Sequence, residues 1–150
     1  MMGESAAVVD RISKRKKSIL IGTMDRNIEE ILEQQLDGLR YHLKIVRKGS
    51  EVLLHILEND VDLVILDMDV SGPLGFDILP IIRKTRPRLP VIVISTDYTF
   101  QLRRAVAQEG INCQMLKPVE TKEMELITNT VHQLLGNLKH QKYTPAYMDV

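Results

Sequence analysis

The chain has one cysteine, Cys113. It therefore cannot form an internal disulfide, and a lone thiol fits a reducing compartment. It has no net charge, with 20 basic against 20 acidic residues, so bulk charge points to neither nucleic acid nor membrane. No apolar stretch approaches the roughly 20 residues that a membrane-spanning helix requires. Met1–Asp10 is small and polar, without the core of a signal peptide. There is no Gly-rich phosphate loop, no zinc-ligand spacing and no hydrolase elbow. There is also no internal repeat and no low-complexity segment. His42, His55, His132 and His140 have no spacing that suggests a metal site or a kinase histidine. These absences exclude a disulfide scaffold, a membrane protein and the common motif-bearing enzymes, and they point to a cytoplasmic location.

What is present is a regular alternation. The length suits one domain with one core. Residues 1–17 read as a leader. Its basic run Lys14-Arg15-Lys16-Lys17 is better explained as a solvated segment than as an anion contact, because no basic face elsewhere continues it. Ser18–Gly22 reads as a buried strand, followed by a helix face at Ile28, Ile31, Leu32 and Leu36 that Gly38 closes. Tyr41–Val46 is β-prone. Ser50 is a candidate cap for a helix burying Val52, Leu53, Ile56 and Leu57. Leu63–Leu66 is the most apolar strand-like run and leads into Asp67. The loop Val70–Gly75 precedes a helical segment over Phe76–Thr85. An interior Pro80 costs about 3 kcal/mol there, so either a late start capped by Asp77 or a kink is expected. Val91–Ile94 is a fourth strand. Leu102, Ala105 and Val106 mark a more polar helix stopped by Gly110. Gln114–Leu116 is a last strand, and Thr121 is a candidate cap for a final helix carrying Met124, Ile127, Val131 and Leu134. Residues 137–150 read as a short tail. Continuous rather than alternating apolar strands mean burial on both faces. The expected fold is therefore α/β, a doubly wound five-stranded parallel sheet in a three-layer sandwich.

Two residues stand out against this frame. Asp67 ends one buried strand, and Lys117-Pro118 follows another about fifty residues later. In open parallel sheets, ligands bind outside the carboxyl ends of the strands. A carboxylate and a lysine at that edge suit phosphate handling.

The element order, together with Asp67, the loop Val70–Gly75, Ser95-Thr96 and Lys117-Pro118, resembles the receiver domain of bacterial two-component response regulators. The resemblance covers about residues 18–136 and implies a (βα)5 flavodoxin-like fold. It makes Asp67 the phosphoacceptor, supplied by a histidine kinase or phosphotransfer protein. Lys117 is then the cation that meets the aspartate and the phosphoryl oxygens, and Ser95 is the hydroxyl that reports their arrival. Backbone amides near Thr96 and Asp69 complete the cradle, with Gly75 and Pro118 in the flanking loops. Enzymatic activity would extend at most to self-phosphorylation and self-dephosphorylation at Asp67.

Two departures accompany the match. Receivers usually carry consecutive acidic residues after the first strand that help hold Mg²⁺; here those positions are Thr23 and Met24. Mg²⁺ is then compatible with the site but weakened, with Asp67, Asp69 and Asp25 as the remaining oxygen donors. Asp25 either reaches the ion or caps the first helix. Gln114 occupies the position, three before Lys117, that is often aromatic, which puts the usual switch in question. Two functions remain open: a phospho-accepting receiver, and a divergent receiver serving as a phosphorylation-independent interaction module. In either case the resemblance implies a downstream protein partner. The stretch after the last helix is too short for a DNA-binding domain. A homodimer through the helix after Thr121 is compatible with the sequence, though no distinctive pattern marks it.

Overall fold

The computed structural model describes residues 16–136 apart from 37, 39, 74, 97–102, 105 and 106. Five parallel strands, β1 (Lys17–Gly22), β2 (Tyr41–Val46), β3 (Leu63–Asp67), β4 (Val91–Ser95) and β5 (Cys113–Leu116), form one sheet in the order β2-β1-β3-β4-β5. Four helices are described: α1 (Arg26–Gln35), α2 (Gly49–Glu58), α3 (Gly75–Thr85) and α4 (Thr121–Leu134). The sheet is the expected α/β doubly wound one. The expected helix at Leu102, Ala105 and Val106 lies outside the described residues, as do most of the leader and the tail 137–150. No helix among the described residues is long and apolar enough to cross a membrane.

Side chains alternate across each strand, so each apolar run feeds two cores. On one face, Ile19, Ile21, Leu63, Ile65, Ile92 and Ile94 pack with Ile28 and Leu32 of α1 and with Met124, Ile127 and Val131 of α4. On the other, Leu20, Val64, Leu66, Val91 and Val93 meet Val52 and Ile56 of α2 and Ile78, Leu79 and Ile82 of α3. Burial on both faces explains why β3 and β4 are apolar without interruption. Arg83, near the end of α3, ties the lower loops together. Its guanidinium donates to Glu109 O at 2.6 Å, Leu89 O at 2.5 Å and Gly110 O at 3.0 Å.

Several local expectations need correction. β1 begins at Lys17, inside the expected leader. Ser50 does not cap α2, which starts at Gly49 with Lys48 as N-cap. The chain enters this helix from a bridge between Lys48 and Ser71, and the Gly49 N–H donates to Ser71 O at 2.8 Å; Ser50 therefore lies inside the first turn and not at the flanking position from which a hydroxyl caps. Leu57 is exposed rather than buried. The cap of α4 is Glu120, not Thr121, and the Glu123 side chain accepts from the Glu120 N–H at 3.1 Å. The late start of α3 is also wrong: it begins at Gly75, and Pro80 lies inside it. Two contacts set that early start. The Gly75 N–H donates to Met68 O at 3.3 Å, and only a glycine allows the approach, since a Cβ would stand 2.8 Å from Met68 Cα. Burial of Ile78, Leu79 and Ile82 offsets the bond that Pro80 forfeits.

Candidate functional site

The strand order reverses beside β1, because the chain goes first to β2 and then across to β3. The crevice beyond the carboxyl ends of β1 and β3 is thus the topological switch point. Gly22 stands opposite Leu66 in the register. Thr23, the residue after β1, accordingly comes beside Asp67, the last residue of β3.

Asp67 is 1% exposed. Its Oδ2 accepts from the Thr23 hydroxyl at 2.7 Å and from Lys117 Nζ at 2.8 Å, and its Oδ1 accepts from the Asp69 N–H at 3.0 Å. Each donor offsets part of the cost of burying a charge. Lys117 follows β5, and its N–H donates to Ser95 O at 2.8 Å, prolonging the pairing of β4 with β5. From that anchored backbone its side chain, 13% exposed, reaches across the end of β4 to Asp67. Its Nζ also lies 3.5 Å from Asp69 Oδ2 and 3.8 Å from Asp25 Oδ2. Burial works to lower the Lys117 ammonium, but the hydrogen bond it donates to Asp67 and the charges of Asp67, Asp69 and Asp25 outweigh it and hold the ammonium above its ordinary 10.5.

Ser95, at the end of β4, is buried, and it lies one residue beyond Ile94, the register partner of Asp67. The Thr96 hydroxyl donates to Asp69 Oδ2 at 2.9 Å. Gly75 holds the start of α3 against Met68, the residue after Asp67. Pro118 leads from Lys117 toward α4 and is exposed. Asp25 is the N-cap of α1: its Oδ1 accepts from the Asn27 and Ile28 N–H groups at 2.9 and 3.3 Å. The Met24 side chain is 52% exposed. Gln114, on β5, leaves its amide nitrogen buried without a partner among the described residues. Among the described residues, no three His, Cys, Asp or Glu side chains form a group that could hold a metal ion.

Sequence reasoning treated Thr23 only as a missing carboxylate and did not foresee its hydrogen bond to Asp67. The signal was available in principle: once β1 and β3 are taken as parallel neighbours, the residues following Gly22 and Leu66 must meet.

The response regulator receiver domain family matches residues 19–129 of this chain. The chain belongs to that family. It is 32% identical over 129 residues to the DNA-binding transcriptional regulator NtrC of Bradyrhizobium sp. (strain RP501 Parasponia), covering 86% of this chain and 26% of that protein. Against the NtrC of Rhizobium meliloti (strain 1021) the identity is 32% over 107 residues, 71% of this chain and 22% of that one. The chain thus spans about a quarter of the length of these relatives. Among solved structures, the signal receiver domain of an HD domain-containing protein from Pseudomonas fluorescens Pf-5 superposes with a TM-score of 0.72 at 25% identity, over 82% of this chain and 97% of that one. The phosphorylated cyanobacterial phytochrome response regulator RcpA gives 0.73 at 18% identity, over 83% and 97%. The chain therefore carries a receiver domain of two-component response regulators. Receiver domains are generally non-enzymatic signalling modules that interact with histidine kinases or phosphotransfer proteins, and they generally bind Mg²⁺ in their acidic pocket.

Proposed function

We propose that this receiver accepts a phosphoryl group on Asp67 from a histidine kinase or phosphotransfer protein and passes the signal on through protein contacts. The observation that carries the proposal is the buried Asp67 carboxylate at the switch point, paired with Lys117 at 2.8 Å. In the transfer, a lone pair of an Asp67 carboxylate oxygen forms the new O–P bond as the N–P bond of phosphohistidine breaks. The electron pair leaves with the imidazole, which takes up a proton. Self-dephosphorylation restores Asp67: water attacks phosphorus, the Asp67 O–P bond breaks with its electron pair returning to the carboxylate, and inorganic phosphate departs with the water's oxygen. Such transfers depend on in-line positioning and on compensating the charge spread over the phosphoryl oxygens. Lys117 supplies the positive charge, the Ser95 hydroxyl supplies a side-chain donor, and the backbone amides near Thr96 and Asp69 supply the rest.

Mg²⁺ is implied by the family, but the residues at this site do not fit a strong divalent pocket. Mg²⁺ demands near-octahedral oxygen donors, usually including one or two carboxylates. Here one first-strand position offers a hydroxyl engaged with Asp67 and Asp25, and the other an exposed thioether, which is no ligand for a hard cation. One oxygen of Asp25 is committed to the cap of α1. We therefore assign the ion a reduced part in this receiver and route no step through it.

In this proposal the receiver unit runs from β1 to the end of α4 and acts in the cytoplasm. The partner downstream is a protein. The test is exposure to acetyl phosphate with and without Mg²⁺, followed by intact mass, with Asp67→Asn as control. Gain of one phosphoryl group by the native chain and none by the control is expected. No gain at saturating donor would refute the proposal and leave the fold as a phosphorylation-independent binding module.

A further inference from the structure

We propose that Thr23 is a positioning residue for Asp67, holding it with a hydrogen bond at a position where receivers usually carry a carboxylate, and that this exchange frees the resting site from dependence on a divalent cation. The inference deepens the proposed role of Asp67 and rests on it for its bearing on phosphoryl transfer.

The geometry fixes the direction of the hydrogen bond. A threonine hydroxyl has one proton and two acceptor lone pairs. Thr23 Oγ1 accepts from the Asp25 N–H at 3.0 Å, a contact in which it can only be the acceptor. Asp67 Oδ2, 2.7 Å away, is a carboxylate oxygen, so the single hydroxyl proton points at it. The Thr23 N–H is itself tied to Val46 O at 3.0 Å, and the residue is 1% exposed. Its backbone and side chain are therefore both fixed, and the donor cannot turn away to water. Through the same oxygen, Thr23 joins the cap of α1 to the carboxylate at the end of β3.

The charge balance follows from this arrangement. A carboxylate in place of the hydroxyl would set a second negative charge against a buried Asp67 oxygen, and a pair of that kind needs a cation or a proton between its members. With threonine there, Oδ2 is satisfied by a hydroxyl and by Lys117 at 2.8 Å, and Oδ1 by the Asp69 N–H at 3.0 Å. A divalent ion approaching the remaining lone pair of Oδ1 would find no first-strand carboxylate beside it.

The experiment compares the native chain with Thr23→Asp, Thr23→Val and Thr23→Ser. Mg²⁺ is titrated at constant ionic strength, and backbone amide NMR shifts and thermal melting are followed. The native chain is expected to melt at the same temperature with and without millimolar Mg²⁺. Thr23→Asp is expected to melt lower without the ion, to recover as Mg²⁺ is added, and to bind it about tenfold more tightly or better, since affinity follows the number of charged ligands. Thr23→Val, which keeps the shape and loses the donor, should shift the Asp67, Asp69 and Asp25 amides and slow labelling by acetyl phosphate, while Thr23→Ser restores both. Equal Mg²⁺ affinity in the native chain and Thr23→Asp would overturn the proposal, as would Thr23→Val with native amide shifts. If Thr23→Val fails to fold, the serine and aspartate variants decide. The Mg²⁺ titrations need no phosphorylation, so a native chain that takes no phosphoryl group would refute the proposed function while leaving the part played by Thr23 to be judged on its own.

Discussion

Replacing Lys117 by methionine isolates the central ion pair, because the side chain keeps its length and loses its charge. Breaking a buried pair by removing one partner costs about 3–5 kcal/mol, most of it the charge left without compensation. Three features of the site set where this protein falls. Asp67 is 1% exposed, so its charge cannot be taken up by water. It keeps two donors, the Thr23 hydroxyl and the Asp69 N–H, which lowers the cost. Lys117 also faces Asp69 at 3.5 Å and Asp25 at 3.8 Å, but both of those carboxylates reach solvent and contribute little. The expected loss at neutral pH is thus about 2–3 kcal/mol, or a fall in melting temperature of roughly 5–10 °C for a chain of this size. The pH dependence has a definite sign. The fold holds the Lys117 ammonium above its ordinary 10.5, so its stabilisation is fully present below that value and is lost as pH rises through the folded value. Urea unfolding of the native chain and Lys117→Met from neutral to strongly alkaline pH should show a constant gap that narrows only above 10.5. In an Asp67→Asn background the same substitution should cost less than about 1 kcal/mol, since no buried charge is then left exposed to the loss. A neutral-pH difference below about 0.5 kcal/mol, the value of a surface pair, or a gap that widens in alkali, would refute this account of the site.

Gly75→Ala forces a Cβ to within 2.8 Å of Met68 Cα; a destabilisation of about 1–3 kcal/mol is expected in urea unfolding, together with shifted amide resonances at Asp67 and Asp69, and a neutral effect would show that the start of α3 does not press on the site loop. Arg83→Met removes four carbonyl contacts, of 2.6, 2.5, 3.0 and 3.4 Å, and should cost about 2–4 kcal/mol once the freed carbonyls are partly resolvated, read by thermal melting with labelling by acetyl phosphate unchanged. Cys113 is buried, and burial pushes its thiol up to about 11. At mildly alkaline pH it should react with a disulfide reagent only after unfolding, and rapid reaction of the native chain would contradict the packing of β5.

The sequence by itself determined the layer architecture. Runs such as Leu63–Leu66 and Val91–Ile94 have no polar alternation, and only a sheet covered on both faces buries such strands. It also determined that Asp67 and Lys117 lie at strand ends, and hence at one edge of the sheet. Local boundaries were less legible, because helix starts are set by contacts between segments distant in sequence. Gly75 begins α3 because Met68 lies beneath it, and Lys48–Gly49 begin α2 because Ser71 pairs with them; no local propensity carries that information. The partners at the site were decided in the same way. The turn after β1 places Asp25 as the cap of α1 through one of its carboxylate oxygens. Thr23 looked like a gap in a metal site until the β1–β3 register set its hydroxyl 2.7 Å from Asp67. Periodicity records which side chains are buried, whereas hydrogen-bond partners come from register and distance, and these exist only once the strands have assembled.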